Sequence, residues 1–229
     1  MRVLAIETAT EACSAALYIS GEIRLRYQVE PRRHSELILP MMEALLAEAE
    51  IALSALDALA FGCGPGSFTG VRIATGVVQG AAFGADLPVV PVSTLAALAQ
   101  RRYREQGEKH LLPAYDARMD ELYWGCYRIG DDGLAHPLND DLLLRPDQVD
   151  LPTGEGWVGV GSGWASYGAT LRNRLGACVA AFDGALLCSA WDVAMLGAAG
   201  FNAGKAVPAE QALPVYLRDK VAETPGSRT

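Results

Sequence analysis

Residues 64–70 read Gly64-Pro65-Gly66-Ser67-Phe68-Thr69-Gly70, and Val71-Arg72-Ile73 follows at once. Three glycines and a proline in seven residues describe a tight turn that few side chains tolerate. An apolar run, Leu56 to Phe61, precedes the turn, and an Ala/Gly-rich helical pattern, Arg72 to Gly84, follows it. Strand, glycine turn and helix in that order imply an α/β layer. A glycine loop that opens a helix leaves free N–H groups at a positive dipole end. Such a loop holds an anion or lets another backbone come close. Three phosphate or nucleophile patterns fail here. Val71-Arg72 follows Gly70 where a Walker loop needs Lys and then Ser or Thr. Ser67 stands where a dinucleotide fingerprint beginning at Gly62 needs its third glycine. Pro65 and Thr69 flank Ser67 where a nucleophile elbow needs glycines. The plain reading is a structural turn with close helix packing, and a place beside a partner interface is compatible with it.

Before the loop, Val3 to Ile6, Ser14 to Ile19 and Ile23 to Val29 are β-rich and joined by short connections, which predicts a three-strand antiparallel meander. A helix is expected to open near His34-Ser35. Leu37, Ile38, Met41, Met42, Leu45, Leu46 and Ala49 follow at helical spacing, with Pro40 in an early turn. After the loop helix come a short strand, Pro88 to Val92, and a helix over Leu95 to Tyr103 capped by Ser93-Thr94. The order is β-β-β-α-β-α-β-α. The second half is less regular. Strands are expected at Leu111 to Tyr115, Leu122 to Ile129, near Leu142 and at Trp157 to Gly161. Helices are expected at Ala165 to Leu175 and at Ser189 to Gly200, the latter with Ser189 as N-cap. Val215 to Arg218 is a terminal strand or turn, followed by a flexible polar tail.

The 229 residues carry a net charge of −8, which argues against a chain that grips nucleic acid alone. Local basic stretches remain at Arg32-Arg33 and Arg101-Arg102-Tyr103-Arg104. Five cysteines without a C-x-x-C suit reduced, mostly buried thiols in a cytoplasmic protein. No secretory signal or membrane span is expected. His34, His110 and His136 do not pair at metal-ligand spacing. His34 is expected to cap or pack. Asp116, Asp120 and Glu121 are expected on a solvated turn, and Cys63 as a small buried hydrophobe. Gly76, Gly80 and Gly84 place small residues on one helix face, either packed within the chain or open to another helix.

Five segments together resemble the bacterial TsaB (YeaZ) family: Leu4-Ala5-Ile6-Glu7-Thr8-Ala9-Thr10, His34-Ser35-Glu36, the 64–73 stretch, Asp116-Ala117-Arg118-Met119-Asp120-Glu121 and Pro214-Val215-Tyr216-Leu217-Arg218. The resemblance spans nearly the whole chain, with Glu7 where many relatives have Asp. It implies an actin-like, hexokinase-like (ASKHA) two-lobe α/β fold: a first lobe over 1–105, a smaller one over 106–218 with helix 189–203 packing back on the first, and a flexible tail over 219–229. It also implies a cytoplasmic, non-catalytic subunit of the machinery that adds threonylcarbamoyl to the adenosine beside the anticodon of tRNAs reading ANN codons. The implied partners are the catalytic paralogue TsaD and the ATPase TsaE, with a homodimer when alone and tRNA reached through the complex. The paralogue's metal-binding His-x-x-x-His falls on Thr94 and Leu98 here, so no metal, catalytic residue or cofactor of its own is implied. The resemblance leaves room for ATP or ADP at the interface with partners. The implied partner surface comprises His34, Leu37, Ile38, Met41, Met42, Leu45, Arg72, Ile73, Gly76, Gln79 and Gly80, and residues Gly64 to Gly70 form a structural loop. An actin-fold ATPase or small-molecule kinase is the alternative, with Gly159-x-Gly161-x-Gly163 as its one weak candidate. A metalloprotease is the lesser alternative.

Overall fold

A computed structural model describes residues 1–218. The expected tail, 219–229, lies outside the described residues. In the first part the elements are β1 (Arg2–Glu7), β2 (Ala12–Ile19), β3 (Glu22–Val29), α1 (His34–Glu48), β4 (Ala58–Gly64), α2 (Phe68–Ala85), β5 (Val89–Ser93) and α3 (Thr94–Gln106). Their sheet runs β3-β2-β1-β4-β5. The first three strands are antiparallel; β4 and β5 extend the sheet in parallel from β1. This is the meander followed by parallel crossovers that the actin-like fold requires.

The alternation of β1 sets the layers. Leu4 and Ile6 face α1 and α2 with Leu17, Leu59, Phe61, Ile38, Leu45 and Val78. Val3 and Ala5 face the other way and are covered by α5 (Ala190–Asn202), through Val193, Ala194 and Ala198. The last α-helix of the described residues therefore seals the sheet formed first in sequence. Its buried Asp192 is fixed by a bidentate pair with Arg104 of α3, 3.0 Å to each oxygen.

The remaining elements are β6 (His110–Arg118), β7 (Glu121–Trp124), β8 (Tyr127–Ile129), β9 (Ala135–Pro137), β10 (Leu142–Leu144), β11 (Trp157–Val160), α4 (Ser162–Leu175) and β12 (Val179–Asp183), ahead of α5. They build a second sheet, β10-β7-β6-β11-β12, with β8 on β6 and β9 on β8. Trp124, Trp157 and Trp164 fill its core with Leu112 and Leu171. Helix α3 joins the two sheets. Ala97 packs on the first, and Leu95, Leu98 and Ala99 pack with Leu111, Val158 and Val160 of the second.

Three sequence expectations need correction. The run Leu122 to Ile129 is two strands on one partner: β7 and β8 both pair with β6, and between them Gly125 donates to the carbonyl of Pro113, which has no N–H to return the bond. Helix α2 starts four residues before Arg72, since Ser67 is its N-cap and accepts from the Gly70 N–H at 3.4 Å. Strands β9 and β12 were hidden in stretches of three and five residues with no clear alternation. Segment 213–218 is neither strand nor helix; one bond, Val215 N–H to the Cys63 carbonyl at 2.7 Å, ties it to the end of β4.

Candidate functional site

The glycine loop is a backbone junction. The Ser67 N–H donates to the Ala9 carbonyl at 2.8 Å, and the Thr8 hydroxyl donates to the Gly70 carbonyl at 2.7 Å. A Cβ at Gly66 would sit 2.8 Å from Ala9, and one at Gly70 would drive into the Thr8 carbonyl. Gly64 has φ +110°, in the region that favours glycine. The β1–β2 turn and the 213–218 segment thus lie against the loop, close enough that side chains are excluded. Of the two uses open to such a loop, close backbone approach is the one realised.

Beneath the loop lies Glu7, fully buried. Its Oε1 accepts from the Ala9 N–H at 2.5 Å, and its Oε2 finds no hydrogen-bond partner among the described residues. A Cβ at Gly62 would overlap that oxygen, so glycine there makes the room for it. Burial pushes the Glu7 pKa up to about 7, only partly offset by the bond from Ala9. Cys13, Cys63 and Cys188 surround it as buried thiols; burial pushes Cys63 up to about 12, so it is no thiolate nucleophile at neutral pH. Thr94 donates its hydroxyl to the Pro65 carbonyl, and Leu98 is wholly buried in the core between the sheets. Among the described residues no group of three or more His, Cys, Asp or Glu could hold a metal ion.

The pH dependence of stability follows from Glu7. The folded state holds this proton more firmly than the unfolded chain, where the ordinary value is 4.5. The stabilisation is therefore full below that value, is lost as pH rises through about 7, and changes no further above it. The difference is on the order of 3 kcal/mol. Glu7→Gln keeps the shape and removes the proton equilibrium. Urea midpoints of the variant are expected to stay flatter than wild type across this range; parallel curves would contradict it.

The expected partner residues separate into two groups. Ile38, Met41, Met42 and Leu45 belong to the chain's own core, and His34 is buried with Nε2 bonded to the Thr10 carbonyl at 2.8 Å. These five are removed from the outer face, because α1 packs that side on β2. What α1 and α2 leave outside is different. Arg72, Gly76 and Gly80 are exposed, while Leu37, Ile73 and Gln79 are half-buried. Cβ atoms at Gly76, Gly80 and Gly84 would meet nothing within 4 Å. Among the described residues nothing packs on these glycines. The same two helices expose Leu39 of α1, 49%, and Phe83 of α2, 84%, which the sequence reading passed over. Phe83 is the one large apolar side chain after Ile73 in an Ala/Gly-rich helix, a signal that was available.

The turn at 116–121 is exposed at its tip, Arg118 to Asp120, as expected, while Asp116 and Glu121 at its ends are half-buried. Asp116 accepts from the Ser166 hydroxyl at 3.0 Å and from the Arg118 N–H at 2.8 Å, and Glu121 pairs with Arg218 at 2.5 Å. With the β1–β2 turn, the start of α2 and segment 213–218, this turn borders a cleft of about 1040 Å³. Gly161 and Gly163, the candidate nucleotide glycines, abut Ala114 and are consumed by packing. No helix among the described residues is long and apolar enough to cross a membrane.

Comparison with known proteins places these features in a family. The family model described as "TsaD: tRNA N6-adenosine threonylcarbamoyltransferase" matches residues 28–155. The tRNA threonylcarbamoyladenosine biosynthesis protein TsaB of Escherichia coli K12 is 43% identical over 97% of this chain and 96% of its own length. Its counterpart from Haemophilus influenzae is 36% identical over 96% and 95%. The solved structure of YeaZ from Pseudomonas aeruginosa superposes with a TM-score of 0.88 at 49% identity, covering 94% of this chain and 99% of that one.

Proposed function

The chain belongs to the TsaB (YeaZ) family of tRNA threonylcarbamoyladenosine biosynthesis proteins, and on that premise we propose that it is the non-catalytic pairing subunit of the modification complex. In this reading it works in the cytoplasm, binds the catalytic paralogue TsaD through the outer face of α1 and α2, and helps recruit the ATPase TsaE. Alone, it pairs with a second copy through the same face. It reaches tRNA as part of the complex.

One observation carries the reading. Three glycines in the interior of α2 each weaken the helix by about 1 kcal/mol relative to Ala. No described residue requires them, since none lies within 4 Å of a Cβ at any of the three. A second helix laid against the stripe would explain them, because missing side chains let two backbones come close. Leu39 and Phe83 would supply apolar area to the rim of the contact. The non-catalytic part of the reading is supported by the region around Glu7. Thr94 and Leu98 are engaged in a hydrogen bond and in core packing, and the nearby thiols are held protonated. The test is calorimetric titration of TsaD with the wild-type chain and with Gly80→Arg. Loss of pairing in a folded variant is the expected outcome; unchanged affinity places the contact elsewhere.

A further inference from the structure

The cleft reverses the charge of the molecule around it. Arg32, Arg72, Arg118 and Arg218 reach its lining against two acids, Glu11 and Asp116, in a chain of net charge −8. Asp116 is engaged by the Ser166 hydroxyl and the Arg118 N–H and lies 3.4 Å from the Arg118 guanidinium, and Arg218 pairs with Glu121, so Arg32 and Arg72 are the lining cations without an acid partner among the described residues. Two aromatic rings, Phe68 and Tyr216, stand half-exposed on one wall with centroids 5.8 Å apart. The Arg72 guanidinium lies 3.8 Å from the Phe68 centroid and donates through Nε to the Tyr216 hydroxyl at 2.7 Å. That bond and stacking hold the rings and the cation as one platform. Across the opening, Arg118 is largely exposed, at a turn whose residues 118–120 all have positive φ.

Cations beside exposed ring faces, in a cleft of this volume, suit a ligand with a phosphate and a planar ring. Phosphate takes the arginines, and a base stacks on the aromatic platform. An acidic peptide would use the charges and leave the rings without a role. We propose that this cleft binds a nucleoside phosphate with its base stacked over Phe68 and Tyr216. The source is an unpaired nucleotide of the RNA substrate or a free mononucleotide. The RNA source rests on the tRNA-modification reading above; the cleft chemistry does not.

The test uses fluorescence anisotropy on the full chain with a labelled unpaired oligoribonucleotide and, separately, labelled AMP, with a labelled poly-glutamate peptide as a control. Tyr216→Ala and Arg118→Glu each change an exposed side chain, and melting temperature checks their fold. Oligoribonucleotide binding is expected to weaken by about tenfold or more in either variant. It is also expected to fall steeply between about 50 and 200 mM salt. AMP binding with the same sensitivity, without RNA binding, supports the site and assigns it to the free nucleotide. No binding of either ligand, equal binding by poly-glutamate, or indifference to both substitutions overturns the proposal. TsaD pairing measured on the same samples separates the two readings. Wild type that binds RNA or AMP but not TsaD defeats the pairing reading alone, and wild type that pairs with TsaD but binds neither RNA nor AMP defeats the cleft alone.

Discussion

Gly70→Ala is expected to destabilise the chain by more than about 4 kcal/mol, at the exceptional end for one methyl group. The added Cβ would enter the Thr8 carbonyl, which is backbone at the end of the central strand β1. No flexible side chain is there to yield. Relief requires α2 to move off the sheet, which breaks the Thr8–Gly70 and Ser67–Ala9 bonds and opens the core around Val78 and Phe61. Against a typical domain stability of about 5–15 kcal/mol, a large part of the reserve is gone. Gly76→Ala, in the same helix, is the matched control. Its Cβ enters open space, and the variant is expected to gain up to about 1 kcal/mol. Chemical denaturation of the pair checks the sign reversal. Equal effects at both positions would show that the loop does not clamp α2 to β1.

Gly80→Arg is expected to leave the fold intact and reduce affinity for TsaD by about a hundredfold or more. Position 80 is exposed, its Cβ direction is empty, and arginine is a far better helix residue than glycine. Intramolecular cost is therefore absent, and the melting temperature should hold or rise. At the proposed contact the substitution has the opposite effect. It puts a long charged side chain at the middle of the Gly76–Gly80–Gly84 stripe, between surfaces meant to meet backbone to backbone. Losing one well-packed centre costs an interface more than about 2 kcal/mol, which converts to tens- to hundreds-fold in affinity. A charge trapped without a partner adds to it. Sedimentation of the isolated chain should show the same loss for any homodimer formed through this face. An arginine introduced at an exposed neutral position far from α2 should leave both measurements alone.

Much of the fold was legible because local signals agreed. Alternating apolar residues in the first 29 positions, the short connections between them and the helical spacing of Leu37 to Ala49 all specify one layered arrangement. Ser93 and Ser189 cap the helices they precede, as their chemistry suggests. Ser67 does the same, but Phe68-Thr69-Gly70 reads as loop, so the start of α2 was placed late. The strand break at Gly125 was invisible because both flanking runs are apolar and pair with the same strand, and the missing N–H belongs to Pro113 across the ladder.

Direction was the harder quantity. Helix α1 is apolar on more than one side, so spacing alone could not say that Met41 and Met42 point inward while Leu39 points out. A glycine series is compatible with an inner or an outer face, and only the empty space at each Cβ decides. The cleft draws on residues from position 9 to position 218, brought together when segment 213–218 lies against the loop. No local pattern reports an assembly of that kind. The chemistry around Glu7 was half legible: the absent histidines were plain, but the raised carboxyl needs the burial that folding supplies.

The central claim is that this chain assists transfer without performing it, through the open glycine face. Its most direct test is reconstituted threonylcarbamoyl transfer to tRNA, with TsaE and the donor present throughout, measured as modified adenosine. Product is expected only when the chain and TsaD are both added, with none from the chain alone and little when Gly80→Arg replaces wild type. Modification by the chain without TsaD, or full activity with Gly80→Arg, would contradict it.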